Sequence, residues 1–365
     1  MDYRSRWQQK RRKRQFIRLV LVPVVVVALA LVGHVVRVLG HNPLSWSYSG
    51  MTDSIVTPVV TANVVVAAFS EGEVRCLRVV DGSEVWDAGF RRPQRFTSAP
   101  SVARGLAIVC ADYGRVYALG LADGEMNWQL KLPDGLRGGP LVDDSTAYVA
   151  ARNGMVQAVD LHTGETLFTV ETGAAISDQP VLSDRTLVVA GSEGIIVGLE
   201  AGTGEQIWRR RLRANVLCRP AVVGDMIAIG SEQGRMHVVD PADGQARFVA
   251  QASAMIRTPA VTDGDSLYFC DTDGWLYKCD LQTGEAQFSR RLAPSLQAGP
   301  FFYRDSLYCL VDGGRVVRVE PQTGAVRERR RIDAAGCTMA VGSGHLVIGT
   351  HDGRLLALEL ESQDE

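Results

Sequence analysis

The sequence predicts an all-β chain: an eight-bladed β-propeller of four-stranded blades, its ring completed by an N-terminal strand and preceded by one transmembrane helix. Three observations predict it. Turn glycines fall at Gly82, Gly124, Gly164, Gly204, Gly244, Gly284 and Gly324, separated by 42 residues once and by 40 thereafter. An earlier glycine in each unit (Gly72, Gly114, Gly154, Gly194, Gly234, Gly274, Gly314, Gly353) forms a second series with eight members. A large aromatic follows four residues after most glycines of the first series. Self-similarity at such a period marks repeat architectures, and four short strands per period select radial blades.

Residues 1–18 hold eight Lys/Arg and read as a basic cytoplasmic tail. Leu19 to Val36 carries no formal charge. Eighteen residues at about 1.5 Å each reach across a hydrocarbon core of about 30 Å. Positive charge stays on the cytoplasmic side, so residues 19–38 are expected to form an uncleaved signal anchor. A cleaved signal peptide is the competitor, with Val38 and Gly40 as small residues before a cleavage site. The anchor would make the chain a single-pass protein of the bacterial inner membrane, with residues 39–365 as an extracytoplasmic propeller.

Each unit then reads as four strands. In the fifth, "CRPAVV", "DMIAIG", "RMHVVD" and "QARFVA" are separated by Gly- and Asp-bearing turns, the pattern of half-buried strands joined by hairpins. The acidic residue four before the turn glycine (Asp160, Glu200, Asp240, Asp280, Glu320) is placed to accept the turn's backbone N–H groups. These carboxylates read as turn braces, not as general acids.

The fourth strand carries Trp86, Trp128, Phe168, Trp208, Phe248 and Phe288, with Glu328 as the exception. A proline opens the next unit 11 to 14 residues later. Trp46 in "NPLSWSYSG" precedes Pro58 by 12 residues, whereas the last unit, "GRLLALELESQDE", shows no aromatic fourth strand. Trp46 is therefore assigned to blade eight.

The repeat A-x-D-x-x-T-G-x-x-x-W, as in "AVDLHTGETLF" and "LEAGTGEQIW", resembles the tryptophan-docking motif of PQQ-type, or quinoprotein-like, propellers, and covers nearly all of residues 42–361. The resemblance implies that Trp46, Trp86, Trp128, Phe168, Trp208, Phe248 and Phe288 pack between neighbouring blades. "CLRVVDGSEVW" and "RVEPQTGAVRE" depart from the motif, which implies weaker docking there. One branch of this superfamily comprises dehydrogenases using PQQ and calcium. The other is similar to the BamB-type scaffold of outer-membrane protein assembly, which carries no cofactor.

The residues favour the second branch. Forty-residue blades leave no room for the inserted loops that a quinone site implies, and no vicinal Cys–Cys pair exists. Positions expected at the channel mouth are Val56, Ser98, Gly138, Asp178, Cys218, Arg257, Ala298 and Cys337. One carboxylate among them falls far short of a calcium ion's six to eight oxygen ligands. "DTDG" at Asp271–Gly274 reads as a hairpin turn, and the seven scattered cysteines read as single buried thiols. No catalytic, metal or cofactor residue is expected, and a small-molecule ligand is not.

Beyond residue 40, 30 basic residues face 40 acidic ones, which excludes the basic face that nucleic acid needs. Against that balance, Arg209, Arg210, Arg211 and Arg213 cluster past an aromatic, as do arginines at 91, 92, 95, 290, 291 and 329–331. The bland reading is edge protection, since charged edges resist strand pairing; the sharper one is docking onto a partner or an anionic lipid headgroup layer. The expected function is non-catalytic: a membrane-anchored scaffold in an envelope protein complex, BamB-like or attached to another inner-membrane complex. A PQQ dehydrogenase is the disfavoured alternative.

Overall fold

The computed structural model describes residues 44–50, 57–90, 94–96, 98–216, 218–332 and 335–360. These form eight four-stranded antiparallel sheets. In sequence order, blade one runs from Val59 to Gly89, two from Ser101 to Lys131, three from Leu141 to Glu171 and four from Val181 to Arg211. Blade five spans Ala221–Gln251, six Val261–Arg291 and seven Leu296–Arg331. In blade eight the strand Trp46–Ser49 pairs with Arg354–Glu359, which is followed in turn by His345–Thr350 and Gly336–Gly342. Trp46 lies opposite Ala357 and Ser49 opposite Arg354. The expected span 19–38 lies outside the described residues, and among those described no helix is long and apolar enough to cross a membrane.

Blade four shows how the sequence makes a blade. Its second strand, Thr186–Ala190, is buried throughout, and its third, Ile195–Glu200, is buried along its middle. These two strands read as near-continuous apolar runs because neighbouring blades cover both of their faces. The fourth strand, Gln206–Arg211, buries only Trp208 and exposes the rest. The first strand, Val181–Ser183, is short and lines the axis.

The turn after each third strand is held from both sides. Asp160 Oδ1 accepts N–H bonds from His162 and Thr163 at 3.0 and 2.8 Å. Gly164 takes φ 74°, and its N–H donates to the Asp160 carbonyl at 2.9 Å. Glu200, Asp240 and Asp280 accept from Thr203, Ala242 and Thr283 in the same way. Hydrogen bonds from these turns hold the carboxyls of Asp160, Glu200, Asp240, Asp280 and Glu320 below the usual range. A carboxyl that titrates lower when folded adds stability above its unfolded value and loses it as pH falls through the folded one. The denaturation midpoint should therefore be flat above about pH 5 and fall toward about pH 3. Asp280→Asn should shallow that fall, which a urea series at stepped pH would measure.

Candidate functional site

Three places collect the sequence-predicted residues: the slots between blades, the outer strands and the mouth of the central channel.

The aromatics occupy the slots. A Cβ added to Gly82 would lie 2.6 Å from the Trp46 ring; at Gly124 it would meet Trp86 at 2.7 Å, and at Gly164 Trp128 at 2.7 Å. The pattern continues with Phe168 on Gly204, Trp208 on Gly244, Phe248 on Gly284 and Phe288 on Gly324. Each ring thus lies flat on the turn glycine of the following blade, an approach that only a residue without a side chain permits. The indole N–H groups of Trp46, Trp86, Trp128 and Trp208 donate to the carbonyls of Val79, Leu121, Leu161 and Pro241 at 2.7 to 2.8 Å. A phenylalanine cannot donate. In two of the three Phe slots a tyrosine reaches the equivalent carbonyl: Tyr148 to Ala201 and Tyr268 to Pro321, both at 3.2 Å.

Glu328 has a local explanation. It sits opposite Arg318 in the strand register and forms an ion pair with Arg330. The cation opposite gives an acidic residue a partner there.

The arginines of blade four do not form one patch. Successive side chains of a strand point to opposite faces, so Arg209 and Arg211 share one face and Arg210 takes the other. Arg209 reaches back to blade three, donating to the carbonyls of Thr172 and Gly173. Arg329 repeats the contact on the Leu292 carbonyl at 3.0 Å. Arg210, Arg211 and Arg213 remain exposed. Arg209→Glu should therefore lower the melting temperature. Reversal of Arg210, Arg211 and Arg213 should leave it nearly unchanged, because exposed charges contribute about 0–1 kcal/mol. Arginines 91 and 92 lie outside the described residues.

The channel mouth encloses about 540 Å³ and is lined by residues from all eight blades. Of the positions expected there, Ser98, Asp178, Cys218, Arg257, Ala298 and Cys337 line it. Residue 56 lies outside the described residues. Gly138 is set behind the lining, where an added Cβ would lie 2.1 Å from the Gln179 nitrogen. Burial pushes the Cys218 thiol up to about 12, so it is a neutral thiol near pH 7 and a poor nucleophile. Burial likewise raises the Asp178 carboxyl, although its Oδ1 accepts the Gln179 N–H at 2.7 Å.

A polar belt crosses four blades at this end. Ser101 Oγ donates to the Pro140 carbonyl at 2.5 Å, Gln179 Nε2 donates to the same oxygen at 2.6 Å, and Arg219 Nη1 donates to Gln179 Oε1 at 2.9 Å. Among the described residues no group of three His, Cys, Asp or Glu is placed to hold a metal ion. The Asp271 carboxylate of "DTDG" is buried and accepts from Trp275 N–H and the Tyr277 hydroxyl at 3.0 and 2.8 Å. It braces a hairpin.

A family profile described as outer membrane protein assembly factor BamB matches residues 43–169, 70–290 and 192–364. The chain belongs to that family. The BamB of Yersinia pestis is 34% identical over 92 residues, 24% of this chain and 23% of that protein. The Escherichia coli K12 BamB is 30% identical over 101 residues, 24% and 26% of the two chains. The matched segments thus span about a quarter of the length of these curated relatives. Among solved structures, BamB from Moraxella catarrhalis superposes with a TM-score of 0.73 at 19% identity, covering 86% of this chain and 98% of that one. The computationally designed Ika8 protein gives 0.78 at 16% identity over 87% of this chain and 99% of its own. Both likenesses show the fold.

Relative to this BamB-family frame, reading the sequence alone missed two features. The first is the pair of tyrosines that replace the indole donor; each stands 20 residues before its phenylalanine, Tyr148 before Phe168 and Tyr268 before Phe288. The second is the residue facing each aromatic across the hairpin. Trp46, Trp86, Trp128 and Trp208 face Ala357, Cys76, Ala118 and Gly198, all small enough to let an indole lie over the strand. A recurrent β-bulge beside Cys76, Ala118 and Gly198 bends the strand and aims the ring at the next blade.

Proposed function

We propose that this chain is a non-catalytic scaffold, held to the bacterial inner membrane by residues 19–38, whose propeller joins an envelope protein complex on the extracytoplasmic side. Outer-membrane protein assembly is the process it serves. The observation behind this reading is the family match across the ring, from residue 43 to residue 364. Two features of the molecule support it. Its blades are joined by connections of eleven residues or fewer, without inserted domains, and its channel mouth brings together one carboxylate, three arginines and neutral thiols instead of a catalytic set. What remains to do work is a rigid surface with many presented loops, which suits protein recognition. The aromatics are structural in this reading, and the exposed Arg210, Arg211 and Arg213 are contact residues on the outer edge.

A second reading places the same scaffold in another inner-membrane complex, and the apolar run 19–36, with no formal charge, favours it. Affinity purification of the detergent-solubilised chain, followed by mass spectrometry, separates the two: recovery of outer-membrane assembly components supports the first reading, and of inner-membrane proteins alone the second. Binding of PQQ with calcium, and dye reduction in the presence of an alcohol, would overturn both.

A further inference from the structure

The channel mouth has a charge and hydrogen-bonding pattern that folding does not use up. Arg137 on the loop entering blade three, Arg219 entering blade five and Arg257 entering blade six all line it and are all exposed. Asp178 is the one carboxylate of the described lining. Arg219 is engaged by Gln179 within the polar belt. Arg137 and Arg257 make no ion pair or side-chain hydrogen bond with any described residue. The local excess of positive charge stands on a domain whose overall balance is acidic.

Hydroxyl groups in the same wall are also unspent. Ser98 is 7% exposed, and its Oγ has no hydrogen-bond partner; neither has the buried Oγ1 of Thr258. Both residues line the channel, from the second and sixth blades. A buried hydroxyl without a partner is destabilising, and native proteins leave few such groups unexplained. Unpaired guanidiniums beside unpaired hydroxyls define a site for an anion that also accepts hydrogen bonds.

The distribution of these groups decides what kind of anion fits. The cations come from three blades and the unpartnered hydroxyls of Ser98, Thr258 and Thr338 from three, spread around the circumference of a 540 Å³ mouth. A single small ion cannot engage them together. An extended chain with carboxylates at intervals can, and Arg–carboxylate contacts are charge-assisted and bidentate-capable. We propose that the channel mouth captures an acidic peptide segment of a partner protein, its carboxylates pairing with Arg137, Arg219 and Arg257 and its polar groups meeting Ser98 and Thr258. This deepens the scaffold reading by moving the principal contact from the outer strands to the axis. The neutral thiols of Cys218 and Cys337 take no chemical part.

Fluorescence anisotropy of the full chain in detergent tests it, using a fluorescein-labelled ten-residue peptide of Glu, Ser and Gly and the same peptide with every Glu changed to Gln. The Glu peptide should bind, more weakly at higher salt, and the Gln peptide at least about tenfold more weakly. Arg137→Ala with Arg257→Ala should cost the Glu peptide about tenfold. Neither arginine holds the fold, so the melting temperature should not move. Arg185→Ala, which removes an exposed cation away from the mouth, should change nothing. Equal binding of the two peptides, undiminished binding by the Arg137/Arg257 variant, or no binding at millimolar peptide would overturn the proposal. So would citrate binding without peptide binding, which would mark a small-anion site. Peptide binding with no envelope protein in the affinity purification would sink the scaffold reading alone; the reverse pattern would sink only this inference.

Discussion

Trp46→Ala should destabilise the propeller by about 3–5 kcal/mol, the usual cost of deleting a buried large aromatic. Trp46 is 8% exposed, packs among Val65, Phe69, Leu77, Val79, Val347 and Leu355, and lies on Gly82 of blade one. Truncation would empty that slot and also strip the Val79 carbonyl of its indole donor. The affected contacts join strands from the two ends of the described ring, so the loss should equal that of Trp128→Ala, an identical slot in mid-sequence. Denaturant midpoints of the two variants, measured side by side, check this. A midpoint unmoved by Trp46→Ala, with Trp128→Ala strongly shifted, would mean that Trp46–Ser49 is a linker laid on the surface.

Gly124→Ala should cost far more than Gly105→Ala, although both glycines belong to blade two and have nearly the same backbone. Their φ values are 73° and 77°, so an alanine at either pays the left-handed penalty of about 1–2 kcal/mol. At Gly105 the new methyl meets nothing within 4 Å, whereas at Gly124 it would lie 2.7 Å from two carbons of Trp86. Overpacking of this kind adds about 1–3 kcal/mol. The difference between the two melting temperatures isolates the docking contact from backbone strain. Equal shifts would show that Trp86 moves aside freely.

Much of this architecture was legible because a propeller repeats its local chemistry. The glycine series marks positions where φ is positive in the structure, and the acidic residue before each turn is where the turn's N–H groups point. Such features depend on residues a few places apart. The channel was partly legible: the residues at the start of each first strand could be counted by period, and Ser98, Asp178, Cys218, Arg257, Ala298 and Cys337 do line it. What the period could not give was pairing between blades. Arg209 looked like one of four surface cations until its reach to Thr172 and Gly173 was seen. Tyr148 replaces an indole donor through a contact 53 residues away in sequence, and no short pattern encodes that.

The slots run in one direction only, each ring resting on the blade that follows, and their sequence has a beginning and an end. It starts with Trp46 of blade eight on Gly82 and finishes with Phe288 of blade six on Gly324 of blade seven. Between blades seven and eight Glu328 stands where a ring would be. That junction is held instead by the apolar cluster around Leu310, Met339, Leu346 and Ile348, by Arg330 donating to the Glu359 carbonyl at 3.0 Å, and by the Tyr303 hydroxyl accepting the Gly344 N–H at 2.7 Å. Among the described blades, seven docked rings leave one junction of a different kind. Sub-global openings follow the weakest cooperative boundary, and this junction trades a docked ring for longer first strands, Leu296–Tyr303 and Gly336–Gly342, packed side by side. Hydrogen exchange at Val326–Arg331 and Gly336–Gly342 no faster than at blades two to four would show that the longer strands make up for the missing ring.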